Sequence, residues 1–206
     1  MPNPSAIPTL LTILAGYSGS PTVNNFYSSP ALLRNVSEYF HALITDSSYS
    51  EDLLVGEAPG YAGCALTGIP FTSEQVIRSS PHPFITALRS RLKVSGTQSE
   101  PTATIMWAHL IASSRLPAFW NAFPFHPHDA GSHCNRPPKP AELAFGASVL
   151  AAVLQILTPK RVFVIGRTTE STLRTHFPSL DAPYIRHPGL SKPPAFSSAL
   201  VAYGIV

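Results

Sequence analysis

The chain is poor in cysteine, in charge and in long apolar runs, and each shortage removes a class of explanation. Only two cysteines occur in 206 residues, Cys64 and Cys134, and neither sits in a C-x-x-C pair. That excludes a disulfide framework and a thiolate zinc site, and makes a reducing, cytoplasmic compartment the expectation. Charged residues are 12% of the chain against 44% hydrophobic, which is a globular composition rather than a disordered one. The longest apolar run, residues 143–157, falls short of the ~20 residues that cross a bilayer. It reads as a buried helix, and no membrane partner is expected. The apolar piece at residues 7–16 has no Lys or Arg before it, so no secretory signal is read. No G-x-S-x-G and no P-loop occurs, which argues against serine hydrolases and phosphate-loop enzymes of the α/β class. No heptad or apolar stripe stands out, and a monomer is expected.

Proline, by contrast, is abundant at 22 residues. It fixes φ and removes a donor, so long stretches must be ordered loop. The formal net charge of +3 and a pI near 9.0 are compatible with a polyanionic partner without demonstrating one. Residues 1–30 read as an N-terminal arm on one domain spanning 1–206. Residues 31–45 put Leu32, Leu33, Val36, Tyr39, Phe40, Leu43 and Ile44 on one helical face. Strands are expected at 51–56, 118–123, 161–166 and 183–187. Helices are expected at 74–92 with breaks at Pro81 and Pro83, and at 102–114, 141–157 and 168–176. Residues 124–140 form a loop with five prolines and three histidines, and 188–195 form another Pro-rich loop. Strands separated by helices predict an α/β fold: three α/β/α layers with a central, mostly parallel four-stranded sheet. Ligands in such folds sit beyond the carboxyl ends of the strands.

Five segments then fall into a familiar order. GEAPGYAGCALTGIPF (56–71) resembles the first motif of the family 4 uracil-DNA glycosylases. WNAFPFHP (120–127) resembles their second, a strand ending in Asn. NRPPKPAE (135–142), RVFVIGR (161–167) and HPGLS (187–191) resemble the three that follow. Together they mark the chain as similar to the uracil-DNA glycosylase superfamily over residues 50–192. The resemblance implies a monofunctional glycosylase that flips uracil from DNA, hydrolyses its N-glycosidic bond and leaves an abasic site. It departs from the family at two points. Family 4 enzymes hold an iron–sulfur cluster on four cysteines. Phe125 stands where one ligand is expected, so no cofactor is expected here. The acidic pair that follows GEAPG is missing, replaced near Ala62 and Gly63.

Cleavage builds positive charge on the sugar and negative charge on the departing base, so donors aimed at the base oxygens are needed. Asn121 offers a donor and an acceptor side by side, matching uracil N3–H and O4; a loop-capping Asn is the competing reading. Phe71 would stack on the base, or pack as a core aromatic. His187 would donate to O2 as a neutral imidazole, or lie idle on the surface. Glu57 either orients water or braces the turn. Ala58 replaces the water-activating Asp of the best-known relatives. The backbone N–H groups from Ala58 through Pro59 to Gly60 are candidates for holding O2 or a phosphate. Gly60 leaves room near C5, with Gly56 before it and Tyr61 as a possible filler. Pro188, Gly189, Leu190, Ser191, Lys192 and Arg136 are the expected DNA contacts, Leu190 as a wedge in the stack; Lys139, Arg167 and Arg186 would add basic surface. His126, His128 and His133 match no common zinc spacing, so no metal is expected, though His126 or His128 is a candidate to replace the missing Asp. The alternative to catalysis is a weak or inactive member that senses damaged or abasic sites.

Overall fold

The computed structural model describes residues 1–189 and 193–206. Among these, the chain opens with a 3-10 turn, helix α1 (Ile7–Gly16), strand β1 (Val23–Asn24) and helix α2 (Pro30–Thr45). Strand β2 (Tyr49–Gly56) leads to α3 (Cys64–Thr67), α4 (Glu74–Ser79), α5 (Pro83–Arg89) and α6 (Pro101–Leu110). Then come β3 (Leu116–Asn121), β4 (His126–Pro127), α7 (Pro140–Leu157), β5 (Arg161–Ile165), α8 (Arg167–His176), β6 (Tyr184–Ile185) and α9 (Pro193–Ala202). The main sheet has the order β3-β2-β5-β6, and every neighbouring pair is parallel. Helices flank it, as the alternating pattern predicts. β1 and β4 form a separate antiparallel ribbon.

The central strands are apolar on both faces because both faces are covered. Every residue of β3 is buried, and so is β2 from Asp52 onward. The α2 face buries Val36, Tyr39, Phe40 and Leu43. Pro30 and Pro83 start their helices at the first turn, where the missing N–H costs nothing. The break expected at Pro81 and Pro83 thus divides α4 from α5.

The N-terminal arm is corrected. Ile7, Leu10 and Leu14 are fully buried along one face of α1, which packs on α7 and α2. Their spacing is helical, and the Asn25 side chain holds the end of the helix by donating to Leu14 O at 2.8 Å and Tyr17 O at 2.7 Å. The short, Pro- and Ser-rich flanks disguise a core helix. The second strand ends at Asn121 rather than at residue 123, and α9 begins inside the segment expected to be loop.

Helix α7 is apolar and long enough, by composition alone, to cross a bilayer. Here it covers the sheet with Val149, Val153, Ile156 and Leu157 in the core. Gly146 is what permits its approach: a Cβ there would stand 2.0 Å from Ala122 O. The helix therefore presses directly on the backbone that follows Asn121, and fixes where that residue can be.

Candidate active site

Sheet register joins two motifs that are 65 positions apart in sequence. Gly56 and Asn121 are paired residues at the carboxyl ends of β2 and β3. The ladder carries on past them through Ala122 N to Gly56 O (2.8 Å) and Phe123 N to Glu57 O (3.0 Å). A cavity of about 180 Å³ opens beyond these ends, with Gly56, Glu57, Ala58, Phe71, Asn121 and His187 among its lining. That volume suits a single base better than a whole drug-sized ligand.

Gly56 is small because two side chains converge over it. A Cβ at that position would lie 2.5 Å from Phe71 Cζ and 2.9 Å from Asn121 Oδ1. Asn121 is buried, yet its amide makes no hydrogen bond among the described residues. A buried, unpaired amide at a cavity wall is a binding group waiting for a partner. Phe71 is held in a left-handed conformation, φ +53°, which a Phe adopts only when its surroundings insist. The insistence is visible. Trp107 Nε1 donates to Phe71 O at 3.0 Å, and the preceding turn is tied through Tyr27 Oη to Gly68 O at 3.0 Å. Half-buried, the Phe71 ring faces the cavity with Phe119 at its back, 5.5 Å between centroids.

His187 brings the closing motif to the same cavity. Gly189 N–H donates to His187 Nδ1 at 3.2 Å, so the proton of the neutral ring sits on Nε2. His187 is exposed by surface area, yet the protein packed around it lowers its pKa by desolvation; the negative charges of Glu100 and Glu57 oppose that shift. The ring is thus neutral at neutral pH and carries a single N–H donor. The side chain of Glu57 has no hydrogen-bond partner among the described residues, and the N–H groups of Ala58 and Gly60 are likewise unengaged there. Cys64 also lines the cavity, but burial pushes its thiol up, so it stays protonated and unreactive.

Several expected residues lie elsewhere. Tyr61 turns outward and stacks on His133, 4.0 Å between centroids, so it does not fill the space above Gly60. Arg136 is committed to bonds with Glu142 at 2.7 and 2.8 Å and with Thr22 O at 3.0 Å. That pair fastens the Pro-rich loop to the start of α7, so Arg136 is a brace rather than an open phosphate contact. Arg167 pairs with Glu170 and lies over the Tyr184 ring; Lys139 and Arg186 are exposed. His126 uses Nδ1 on Pro59 O at 3.0 Å, behind the GEAPG turn, and together with His128 lines a neighbouring cleft rather than the base-sized cavity. Neither is among the residues that line the base-sized cavity. Among the described residues no cluster of metal-ligating side chains occurs. Pro188 is buried and Gly189 half-buried. Leu190, Ser191 and Lys192 lie outside the described residues.

Glu100 lines the cavity with no sequence signal to mark it, and Asn135, which opens the NRPPKPAE segment, lines it without having been singled out. Asn135 Oδ1 accepts from Tyr61 N at 3.4 Å, a bond between segments 74 residues apart. Glu100 precedes Pro101 at the start of α6, where the usual capping residues are Ser, Thr, Asp and Asn.

The residues present do not fit an iron–sulfur cluster. Phe125, at a ligand's expected place, is fully buried and stacks on Tyr17 with centroids 4.1 Å apart, with Phe123 and Phe145 completing an aromatic cluster. Of the two thiols, one is buried at the base-sized cavity and the other exposed.

No protein-family model matches the chain, and no curated protein matches it significantly. Among solved structures it is similar to the crystal structure of wild-type SMUG2 from Pedobacter heparinus. The TM-score is 0.68, covering 97% of each chain at 18% identity. SMUG2 is a member of the uracil-DNA glycosylase superfamily. The fold is therefore uracil-DNA glycosylase-like, as the motif order implies. The likeness does not single out the family 4 branch.

Proposed function

We propose that the chain is a DNA-repair glycosylase acting on uracil-containing DNA. The observation that carries this reading is the convergence of Phe71, Asn121 and His187 on one base-sized cavity, each with its binding group unengaged. A flipped uracil stacks on Phe71. The Asn121 amide meets N3–H and O4, an arrangement that cytosine reverses. His187 Nε2–H donates to O2, where negative charge grows as the C1′–N1 bond breaks, so the bond strengthens in the transition state. The free N–H groups of Ala58 and Gly60 add donors on the same side. Glu57 lies at the sugar side and balances its positive charge. The exposed Arg186 and Lys139 contact phosphates, with the protein acting as a monomer in a reducing compartment.

The test is cleavage of labelled oligonucleotides bearing uracil opposite G, opposite A and unpaired, in EDTA, before and after mild alkali. Breaks that appear only after alkali are expected, as a monofunctional, metal-independent enzyme requires. Asn121→Ala and His187→Ala are each expected to lower excision about 100-fold or more. A second reading rests on Ala58, which removes the usual water-activating carboxylate. Tight binding to an abasic site without excision of any deaminated base would establish it.

A further inference from the structure

Glu100 enters the cavity from outside every motif of the sequence. Its side chain lies over the GEAPG turn at the place where the resemblance expects an acidic residue and the chain has Gly63. A Cβ on Gly63 would stand 3.0 Å from Glu100 Cγ and 3.6 Å from its Oε2. A carboxylate thus reaches the turn from the start of α6, through space that a side chain at Gly63 would take.

The placement is built rather than incidental. Glu74 is buried and accepts from Gly96 N at 2.7 Å and Gln98 N at 3.0 Å. Gln75 N donates to Gln98 O at 2.9 Å, and Arg78 reaches Val94 O and Gly96 O. The approach to Glu100 is therefore tied down along its length. Its two oxygens then accept from Thr102 N at 2.9 Å and Ala103 N at 2.6 Å. Each oxygen keeps a lone-pair direction for the cavity that Glu100 and Thr102 line together.

We infer that Glu100 is a catalytic carboxylate of this cavity, facing the sugar of the flipped nucleotide and holding the attacking water. This rests on the glycosylase reading above. The C1′–N1 bond breaks with its electron pair passing to the base, and water adds to C1′. The proton shed by that water passes to Glu100 and on to solvent. The base anion takes a proton from solvent, leaving free uracil and an abasic sugar. Glu57 alone does not serve, because it follows the strand end directly and lacks any hydrogen-bond partner among the described residues to fix it.

The competing role is a helix cap, and two variants separate the two. Glu100→Ser keeps a capping oxygen and removes the charge; Glu100→Gln keeps the shape. Both are expected to melt within a few degrees of the parent and to bind uracil-containing oligonucleotide as tightly. Both should excise at least about 100-fold more slowly in single turnover, and Glu100→Asp should recover part of the loss. Glu100→Ser cutting at the parent rate would overturn the inference. A second readout does not depend on turnover. The charged groups facing His187 among the described residues are Glu57 and Glu100. In NMR the His187 ring should titrate at lower pH in Glu100→Gln than in the parent; an unchanged midpoint would show that the Glu100 charge does not reach the cavity. If the parent protein cuts no uracil substrate, the glycosylase reading falls and the catalytic claim with it, while the titration still decides where the charge lies.

Discussion

The two ends of strand β2 handle a carboxylate in opposite ways. Near the amino end, Asp52 is fully buried and saturated: Arg161 binds it through Nε and Nη2, both at 2.7 Å, and Arg115 adds a bond at 3.1 Å. Just past the carboxyl end, Glu57 has no side-chain partner, Asn121 carries an unpaired amide and Phe71 sits at a positive φ. One end spends its polar groups on joining strands β2, β3 and β5. The other keeps its side-chain polar groups free and holds them in place through packing and backbone hydrogen bonds. Proteins tend to break local rules of satisfaction and strain where they act on a ligand, and to obey them elsewhere. The two regimes lie at opposite ends of one eight-residue strand.

Gly56→Ala attacks the open end and has the largest expected effect. The new Cβ would meet the Phe71 ring at 2.5 Å and Asn121 Oδ1 at 2.9 Å. One of them must leave the position it needs, and displacements of that size cost about 100-fold in rate. Uracil excision by Gly56→Ala is expected to fall about 100-fold to 1000-fold. Thermal unfolding should drop only by the overpacking cost of about 1–3 kcal/mol. Unchanged excision would mean that neither side chain shapes the reactive cavity, and the contrast between the ends would lose its functional half.

Much of this was legible in the chain, for reasons that differ by residue. Gly56, Asn121 and His187 announce themselves because strand ends and short motifs are local in sequence. The parallel sheet follows from apolar runs that need cover on both faces. Asp52, Arg115 and Arg161 give no such signal, since their bond exists only once three strands are aligned. The same holds for Glu100, brought over Gly63 by a connection pinned through Glu74, and for Arg136, whose basic charge reads as DNA contact until Glu142 is seen to claim it. Tyr61 failed as a pocket residue because His133, 72 positions away, offers it a better stacking partner. The α1 helix hid because its three buried residues sit in a short segment flanked by Pro, Ser and Gly.

Asp52→Ala attacks the saturated end. Removing a buried carboxylate ordinarily strands its partners. Here the arginine side chains are 45% and 42% exposed, so water takes over much of the lost bonding. A destabilisation of about 1–2 kcal/mol is expected, or roughly 2–8 °C in Tm for a domain of this size. Excision measured well below the transition should stay at the parent rate. A large fall in excision with little change in Tm would show that the two ends are coupled rather than divided.

The smallest effect is the one that pH resolves, with Asp52→Asn as reference. Burial alone would raise the Asp52 pKa, but the bonds from Arg161 and Arg115 outweigh it, and the carboxyl ends below its ordinary value. A group depressed in the folded state adds stability that is complete above its unfolded pKa of about 3.9 and is lost as pH falls through the folded pKa. The parent should therefore exceed Asp52→Asn by a constant margin from pH 8 to about 5. The margin should narrow below about 4 and close once Asp52 is protonated in both states. His82, His126 and His187, whose pKa values are all lowered by burial, also erode stability as pH drops below about 6.5. They are common to both proteins and cancel in the difference, so the subtraction isolates the amino end of the strand. A margin that instead began to shrink near pH 6 would mean that removing the Asp52 charge alters a histidine, and that the two ends share one electrostatic field.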